Sequence, residues 1–239
     1  MAENNLPDFL GIGAQKSGTS WIYNQLKYHP EICVSRVKEL RFFLGGKSLC
    51  WYEQQFSHCQ SGKLKGEITP EYMVLENSVE QIYNLLPNVK LFCILRNPTQ
   101  RAFSQWKMAK RLGNVPKNLS FIEVFQENLQ FLKERGHYAE QIQKLARFFP
   151  HGEKLLVLLY DELEVSPASL LCKLLKFLEV DFEWRSPKLD DIIGKSRDEM
   201  KIPAEAEKKL IEYYRPHVDN LSNLLNVDLS HWSNGVDQG

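Results

Sequence analysis

A glycine-rich turn near the start of the chain carries residue types that hold phosphate. Gly11-Ile12-Gly13 follows an apolar run, and Thr19 opens a stretch of helical period. The backbone N–H groups from Gln15 to Ser20 would then converge on an anion at a helix N-terminus, and Lys16 adds a cation there. The pattern predicts a phosphate-binding strand-turn-helix, although any sharp strand-to-helix turn also favours glycine.

The position of the lysine separates this loop from that of nucleoside-triphosphate hydrolases and kinases. Their loop is G-x-x-x-x-G-K-[ST], in which the lysine contacts the β- and γ-phosphates and the Ser or Thr binds Mg²⁺. Gly13 and Gly18 keep the glycine spacing, but Thr19 stands at the lysine position and Lys16 precedes the second glycine. This displacement disfavours a P-loop kinase or NTPase.

A second basic position follows another apolar run. The segment LFCIL ends at Leu95 and is followed by Arg96, where a P-loop NTPase would have its Mg²⁺-binding aspartate. Asn97-Pro98 then opens a helix, with Ser104 about two turns further on. A guanidinium here indicates direct contact with a second phosphate, although an ordinary strand-to-helix turn with a solvated arginine has the same sequence. Together the two motifs predict a nucleotide with two separate phosphate groups and no essential metal.

The two motifs resemble those of the sulfotransferases that use 3′-phosphoadenosine 5′-phosphosulfate (PAPS). In that family a K-x-G-T loop holds the 5′-phosphosulfate, and an R-x-P-x-x-R-x-x-S stretch holds the 3′-phosphate. The resemblance assigns the 5′ site to Lys16, Ser17, Gly18, Thr19 and Ser20. It assigns the 3′ site to Arg96 and Ser104, and it gives Lys16 the catalytic role of steadying charge on the leaving phosphate.

Two further segments resemble the heparan-sulfate-type and bacterial branch of that family. KELRFF (38–43) is similar to E-x-H-F-F, which makes Glu39 the general base for the acceptor, with Arg41 in place of the histidine. Composition favours a solvated acid beside two cations instead. GEITPEY (66–72) is similar to E-K-[ST]-P-x-Y, with Ile68 in place of the lysine. Glu67 would orient the acceptor or assist Glu39, or form a structural ion pair.

The tail carries a basic loop at Gly194-Lys195-Ser196-Arg197. In relatives a basic loop at this point covers the nucleotide, so the resemblance adds Lys195 and Arg197 to the nucleotide site. A plain solvated loop is the alternative.

Short apolar runs alternate with longer stretches of helical period, a pattern typical of βαβ units. We predict an α/β fold formed by a single domain over 1–239, with a mainly parallel central sheet flanked by helices. The expected strands are Phe9–Gly13, Glu31–Val34, Lys65–Ile68, Lys90–Leu95 and Leu155–Tyr160. The expected helices are Thr19–Tyr28, Val79–Leu86, Pro98–Arg111, Phe121–Arg135, Tyr138–Phe149, Pro167–Leu178 and Ala204–Arg215.

Composition limits the class of partner. The 239 residues include 30 basic and 30 acidic side chains, so no overall field draws the chain to nucleic acid or to an anionic membrane. The start lacks a signal-peptide pattern, and no apolar run approaches a membrane span. Five widely spaced cysteines without C-x-x-C argue against a disulfide framework or a zinc site; the pair His58-Cys59 is the sole hint of metal ligands. We therefore expect a soluble, cytoplasmic protein.

These observations predict a PAPS-dependent sulfotransferase that releases 3′-phosphoadenosine 5′-phosphate. It would move a sulfuryl group by in-line displacement to a hydroxyl, less readily an amine, of a glycan or small organic acceptor, without a metal. The alternatives are a P-loop kinase or NTPase, and a non-catalytic nucleotide-binding protein on the same fold. Acceptor identity and oligomeric state are not encoded in any motif of the chain.

Overall fold

The computed structural model describes residues 5–75, 77–189, 191 and 200–234. Its backbone forms two compact units. The first comprises the described residues up to Leu95 and from Lys144 to residue 191, and the second comprises Arg96–Gln143 and residues 200–234. The prediction of one domain over the whole chain stays a prediction.

A five-stranded sheet forms the centre of the first unit. Its strands are β1 (Phe9–Gly13), β2 (Ile32–Val34), β3 (Leu64–Ile68), β4 (Lys90–Leu95) and β5 (Leu155–Leu159). They pair in the order β2-β3-β1-β4-β5, and every pairing is parallel. Parallel strands place all their carboxyl ends at one edge, so the loops after β1, β2 and β3 leave the sheet on the same side.

Helices cover this sheet because its strands are apolar on both faces. The helices of the first unit are α1 (Thr19–Tyr28), α2 (Leu49–Gln54), α3 (Ser78–Leu85), α7 (Tyr160–Val165) and α8 (Pro167–Leu178). A buried hydrophobic cluster joins Ile22 and Leu26 of α1 and Leu174 of α8 to Phe9 and Phe92 of the sheet. The predicted α/β class with a parallel sheet flanked by helices is confirmed.

The second unit is helical. It contains α4 (Pro98–Arg111), α5 (Phe121–Gln126), α9 (Ala204–Leu225) and the start of α6 (Tyr138–Ala146). A fully buried arginine, Arg101, holds the unit together: its guanidinium donates to Gln105 Oε1 at 2.5 Å and to the Leu132 carbonyl at 2.6 Å. Tyr214 of α9 donates to the same carbonyl at 2.9 Å.

Five predicted elements have the bounds that the sequence indicated, namely β1, α1, β4, α4 and α8. The helix expected over Phe121–Arg135 is wrong, because α5 ends at Gln126 and Asn128 adopts a left-handed φ of 54°. The helix expected to end at Arg215 continues to Leu225 through Pro216. Burial of Val218 and Leu221 beyond the proline outweighs the cost of about 3 kcal/mol for proline in a helix.

The expectation about the cysteines is corrected at one pair. Cys33 in β2 and Cys59, which precedes β3, form a disulfide with Cα atoms 5.7 Å apart. The spacing of 26 residues gave no signal because the two strands become neighbours only in the folded sheet. Within the described ranges, no helix is both long and apolar enough to cross a membrane.

Candidate active site

The predicted phosphate loop lies between β1 and α1. Gly18 caps α1 and its carbonyl accepts hydrogen bonds from the N–H groups of Trp21 and Ile22. The N–H groups that precede these two at the helix start have no earlier helical carbonyl to bond, so they point out of the helix end. The first turn of α1 has no acidic residue. This helix end therefore suits a phosphate, and the predicted strand-turn-helix is present.

The backbone of the loop requires glycine at residue 18, the second glycine of the motif. Gly18 has φ 92°, and a Cβ atom there would lie 2.8 Å from Leu163 Cδ2 of α7. Lys16 also has a left-handed backbone, with φ 71°. These conformations turn the chain sharply, which points successive backbone N–H groups to one side of the loop.

Ser17 supplies an independent sign of a ligand. Its side chain is fully buried, and its Oγ has no hydrogen-bond partner among the described residues. A buried hydroxyl without a partner costs about 1–3 kcal/mol, so such a group needs an explanation. An anion held by the loop would accept the proton of this hydroxyl. Lys16 beside it is half-buried.

Glu39 lies on the loop after β2, at the carboxyl edge of the same sheet. Its N–H donates to the Ile68 carbonyl at the end of β3, at 3.0 Å. Its carboxylate pairs with Lys38 Nζ at 2.7 Å and with Arg41 at 3.3 Å, and 30% of the side chain is exposed. Arg41 also contacts Glu71 at 3.1 Å. The acid is thus oriented by two cations and still reaches solvent.

Glu67 has a different setting, because it is fully buried in β3. Its carboxylate accepts hydrogen bonds from Tyr52 at 2.8 Å, Tyr72 at 2.9 Å and Thr69 Oγ1 at 2.7 Å. The backbone of Leu40 also hydrogen-bonds to it. Burial raises the pKa of Glu67, and these hydrogen bonds oppose that rise. The same burial and the Glu67 charge raise the pKa of Tyr52 well above its usual range.

The partners of Glu67 in turn hold the Glu39 loop. Thr69 Oγ1 accepts the N–H of Arg41 at 3.3 Å, and the Tyr72 hydroxyl accepts the N–H of Phe42 at 2.9 Å. Together with Leu40, three successive residues after Glu39 are tied directly or through one hydroxyl to Glu67. We call Glu67, Tyr52, Thr69 and Tyr72 the carboxylate hub. Sequence reasoning missed the two tyrosines and the threonine of this hub, although TPEY (69–72) lies in the motif quoted above.

Aromatic rings enclose the hub. Phe42 stacks on Tyr52 with ring centroids 4.0 Å apart, and Phe43 contacts both Tyr52 and Tyr72 edge to face. Such contacts exclude water from the hub and strengthen its hydrogen bonds.

Arg96 and Ser104 belong to the second unit, at the start of α4. Asn97 caps this helix by accepting the N–H groups of Thr99 and Gln100, and Pro98 occupies its first turn. Arg96 donates to Gln100 Oε1 at 3.3 Å, and its carbonyl accepts the Tyr138 hydroxyl at 2.9 Å. Ser104 is half-buried two turns along the helix.

Thr99 is a residue that sequence reasoning missed at this helix start. Its side chain is buried, and its Oγ1 has no hydrogen-bond partner in the part of the chain that the structure describes. The signal for it was its place in the first turn after Arg96-Asn97-Pro98. The predicted nucleotide-covering residues Lys195 and Arg197 lie outside the described residues, so their role stays a prediction.

Comparison with known proteins identifies the family. The model of the sulfotransferase domain matches residues 6–210, which is most of the chain. The chain belongs to the sulfotransferase domain family. This confirms the resemblance to the sulfotransferases that was drawn from the two phosphate motifs and from KELRFF (38–43).

In sequence, the chain is similar to parts of two larger proteins. It is 32% identical over 143 residues to a membrane-associated sulfotransferase of Dictyostelium discoideum, a match that covers 55% of this chain. It is 29% identical over 265 aligned positions to the mouse bifunctional heparan sulfate N-deacetylase/N-sulfotransferase 4, which covers 93% of this chain. In both cases the match spans 30% of the relative.

Solved structures share the fold. A sulfotransferase from Alicyclobacillus acidocaldarius superposes with a TM-score of 0.84 at 24% identity, covering 95% of this chain and 99% of that one. Mouse sulfotransferase SULT7A1, solved as a complex with PAP, superposes with a TM-score of 0.62 at 15% identity, covering 98% and 95%. At these identities the likeness concerns the architecture.

Proposed function

We propose that this sulfotransferase transfers the sulfuryl group of PAPS to a hydroxyl of a glycan or small organic acceptor. The observation that carries the proposal is the loop between β1 and α1, where a buried Ser17 hydroxyl without a described partner lies next to Lys16 at a helix N-terminus. The PAP complex of a structural neighbour supports the choice of nucleotide.

The donor is held by its two phosphate groups. The N–H groups from Gln15 to Ser20, the Ser17 and Thr19 hydroxyls and Lys16 would bind the 5′-phosphosulfate. Arg96 and Ser104 would bind the 3′-phosphate, and the buried Thr99 hydroxyl would join them. Lys195 and Arg197 complete the proposed set. Neither a lysine after Gly18 nor an aspartate after β4 is present to organise Mg²⁺, so the transfer is proposed to need no metal.

The transfer itself is an in-line displacement at sulfur. The acceptor oxygen forms a bond to sulfur as the bond between sulfur and the bridging phosphate oxygen breaks, and 3′-phosphoadenosine 5′-phosphate leaves with that electron pair. Lys16 steadies the charge that develops on the leaving phosphate, and the acceptor proton passes to the Glu39 carboxylate. An amine acceptor would follow the same course less readily.

Glu67 is assigned a positioning role. Its carboxylate is fully buried and holds three hydroxyl groups, so an acceptor has no path to it in this arrangement. The carboxylate hub fixes the loop that carries Glu39, which keeps the base in one orientation.

Cytoplasmic location, expected from the sequence, stays a prediction, and the Cys33–Cys59 disulfide argues for an oxidising environment instead.

The nucleotide assignment is tested by thermal unfolding with 3′-phosphoadenosine 5′-phosphate, AMP and ATP. The bisphosphate should stabilise the protein most, because only it offers a 3′-phosphate to Arg96. Arg96→Ala should lose about 1.5–3 kcal/mol of bisphosphate binding, the usual size for a hydrogen bond to a charged group. Arg111→Ala, at the exposed far end of α4, is the matched control and should bind normally. Equal stabilisation by AMP and the bisphosphate would refute the assignment.

The base assignment is tested with Glu39→Gln, which keeps size but removes basicity. Turnover on an aliphatic alcohol should fall about 10²–10⁴-fold, and the loss should shrink for an acidic phenol. Bisphosphate affinity should remain unchanged. A variant that keeps the full rate on the alcohol would remove Glu39 from the mechanism.

Chelation tests the P-loop kinase alternative. Turnover that stops with EDTA and resumes with Mg²⁺ would favour that alternative.

A further inference from the structure

A second cluster of titratable side chains lies in the helical unit and is not used by the proposed reaction. His137 immediately precedes α6, Glu140 lies in the first turn of α6, and His217 lies on α9. The His217 Nδ1 atom is 3.2 Å from a Glu140 carboxylate oxygen. The two imidazole rings face each other with centroids 3.9 Å apart. One ligand atom from each of the three residues lies within 4.8 Å of the other two.

We propose that His137, Glu140 and His217 bind a divalent transition-metal ion, with Zn²⁺ as the best match. Two imidazole nitrogens and one carboxylate oxygen are a donor set that Zn²⁺ accepts, with water as the fourth ligand. The site does not depend on the proposed sulfotransfer, because none of its residues contributes to the phosphate motifs or to the Glu39 loop.

The backbone already brings the three ligand residues together, so no backbone movement is needed. His137 and Glu140 are three residues apart, which puts them on one face at the start of α6. His217 reaches that face from α9, whose buried side chains fix the helix through Tyr214 and Val218. Only side-chain rotation is then needed to gather the donors.

The change in distance between the ligand atoms is small. Tetrahedral zinc with bonds of about 2.0–2.1 Å keeps its ligand atoms roughly 3.3 Å apart, so distances of up to 4.8 Å must shorten by about 1.5 Å at most. The imidazoles must also turn out of their parallel stack so that both lone pairs point at one ion. Glu140 can follow, since 54% of its side chain is exposed.

Tyr213 provides the outer partner that metal-binding histidines usually have. Its hydroxyl lies 2.9 Å from His137 Nε2. When this oxygen accepts the Nε2 proton, the lone pair of His137 is on Nδ1, the nitrogen left for the ion. A stacked histidine pair held by hydrogen bonds needs no such ion, and the experiment below separates the two.

The test uses untagged protein, stripped with chelator and kept without reductant so that the Cys33–Cys59 disulfide does not offer thiolates. ZnCl₂ is titrated by calorimetry, and unfolding temperature is measured with and without zinc. We expect one zinc ion per chain and a rise in unfolding temperature, because an ion that binds the native state stabilises it. Bound Co²⁺ should absorb visible light, and this absorption should disappear when Zn²⁺ displaces the cobalt.

Variants locate the site. His137→Gln and His217→Gln should each weaken zinc binding more than about 100-fold, and Tyr213→Phe should weaken it about 10-fold, as loss of an outer partner does. His151→Gln, at an exposed histidine that is not one of the three proposed ligands, is the control and should bind normally. If the histidine variants fail to fold, the exposed Glu140→Gln decides, with an expected loss of about 10-fold. Wild-type protein that takes up no zinc, or binding that survives these changes, would overturn the proposal.

Discussion

The buried carboxylate of Glu67 gives the sharpest test of how this site is built. Replacing Glu67 with alanine would leave the hydroxyls of Tyr52, Tyr72 and Thr69 without their acceptor. A buried polar group that loses its partner costs about 1–3 kcal/mol, and the desolvation cost of the removed charge offsets part of the sum. We expect Glu67→Ala to lose about 3–5 kcal/mol of unfolding free energy.

Glu67→Gln should lose only about 1 kcal/mol, because its amide oxygen still accepts from the tyrosines while its amide nitrogen faces Thr69. Its turnover should fall about 10- to 100-fold if the hub orients Glu39, with bisphosphate affinity unchanged. The matched control is Glu71→Gln, which removes a partner of Arg41 on the same segment but not a member of the hub. That change should cost less than about 1 kcal/mol.

The pH dependence has a defined sign. Burial raises the pKa of Glu67 in the folded state. The stability that Glu67 contributes relative to Gln is therefore fully present below its unfolded pKa of about 4.3 and is lost as pH rises through the folded pKa. Urea unfolding of wild type and Glu67→Gln from pH 4 to pH 8 should show the gap between them narrowing. A constant gap, or Glu67→Ala as stable as the Glu71→Gln control, would refute the reasoning.

Three further changes test the loop and the disulfide. Lys16→Ala should lower turnover about 10²–10³-fold, as removal of a main transition-state donor does, and a near-normal rate would make the lysine incidental. Gly18→Ala should weaken bisphosphate binding and stability, measured by thermal unfolding with and without nucleotide, because the left-handed φ and the contact with Leu163 both oppose a Cβ atom. Cys33→Ser should lose about 3.5 kcal/mol in denaturant unfolding, the size expected for a disulfide that closes a loop of 26 residues. Equal stability of wild type with and without reductant would contradict this.

The features that the sequence predicts well depend on neighbouring residues. β1, the turn with Gly13 and Gly18, and α1 follow one another within 20 residues, and the glycine spacing specifies a backbone turn directly. Pro98 after Asn97 likewise marks the first turn of α4. Such local signals arise from backbone sterics and helix-end hydrogen bonding, which act within a few residues.

The family resemblance follows from the same local motifs, and the fold class follows from the alternation of apolar runs. The role of Glu39 as a base candidate also came from its motif, and the structure showed that the two neighbouring cations pair with its carboxylate.

Only the tertiary structure decided the contacts between residues that are distant in sequence. Glu67 was expected near the acceptor, yet it is buried because Tyr52 of α2 and Tyr72 after β3 fold over it. Cys33 meets Cys59 because β2 pairs with β3.

Local propensity was overridden where tertiary burial was stronger. α9 continues through Pro216 because the apolar face beyond it is buried, and His137 meets His217 across 80 residues because that helix packs beside the start of α6. Packing of this kind depends on the whole chain at once, so no window of sequence contains it.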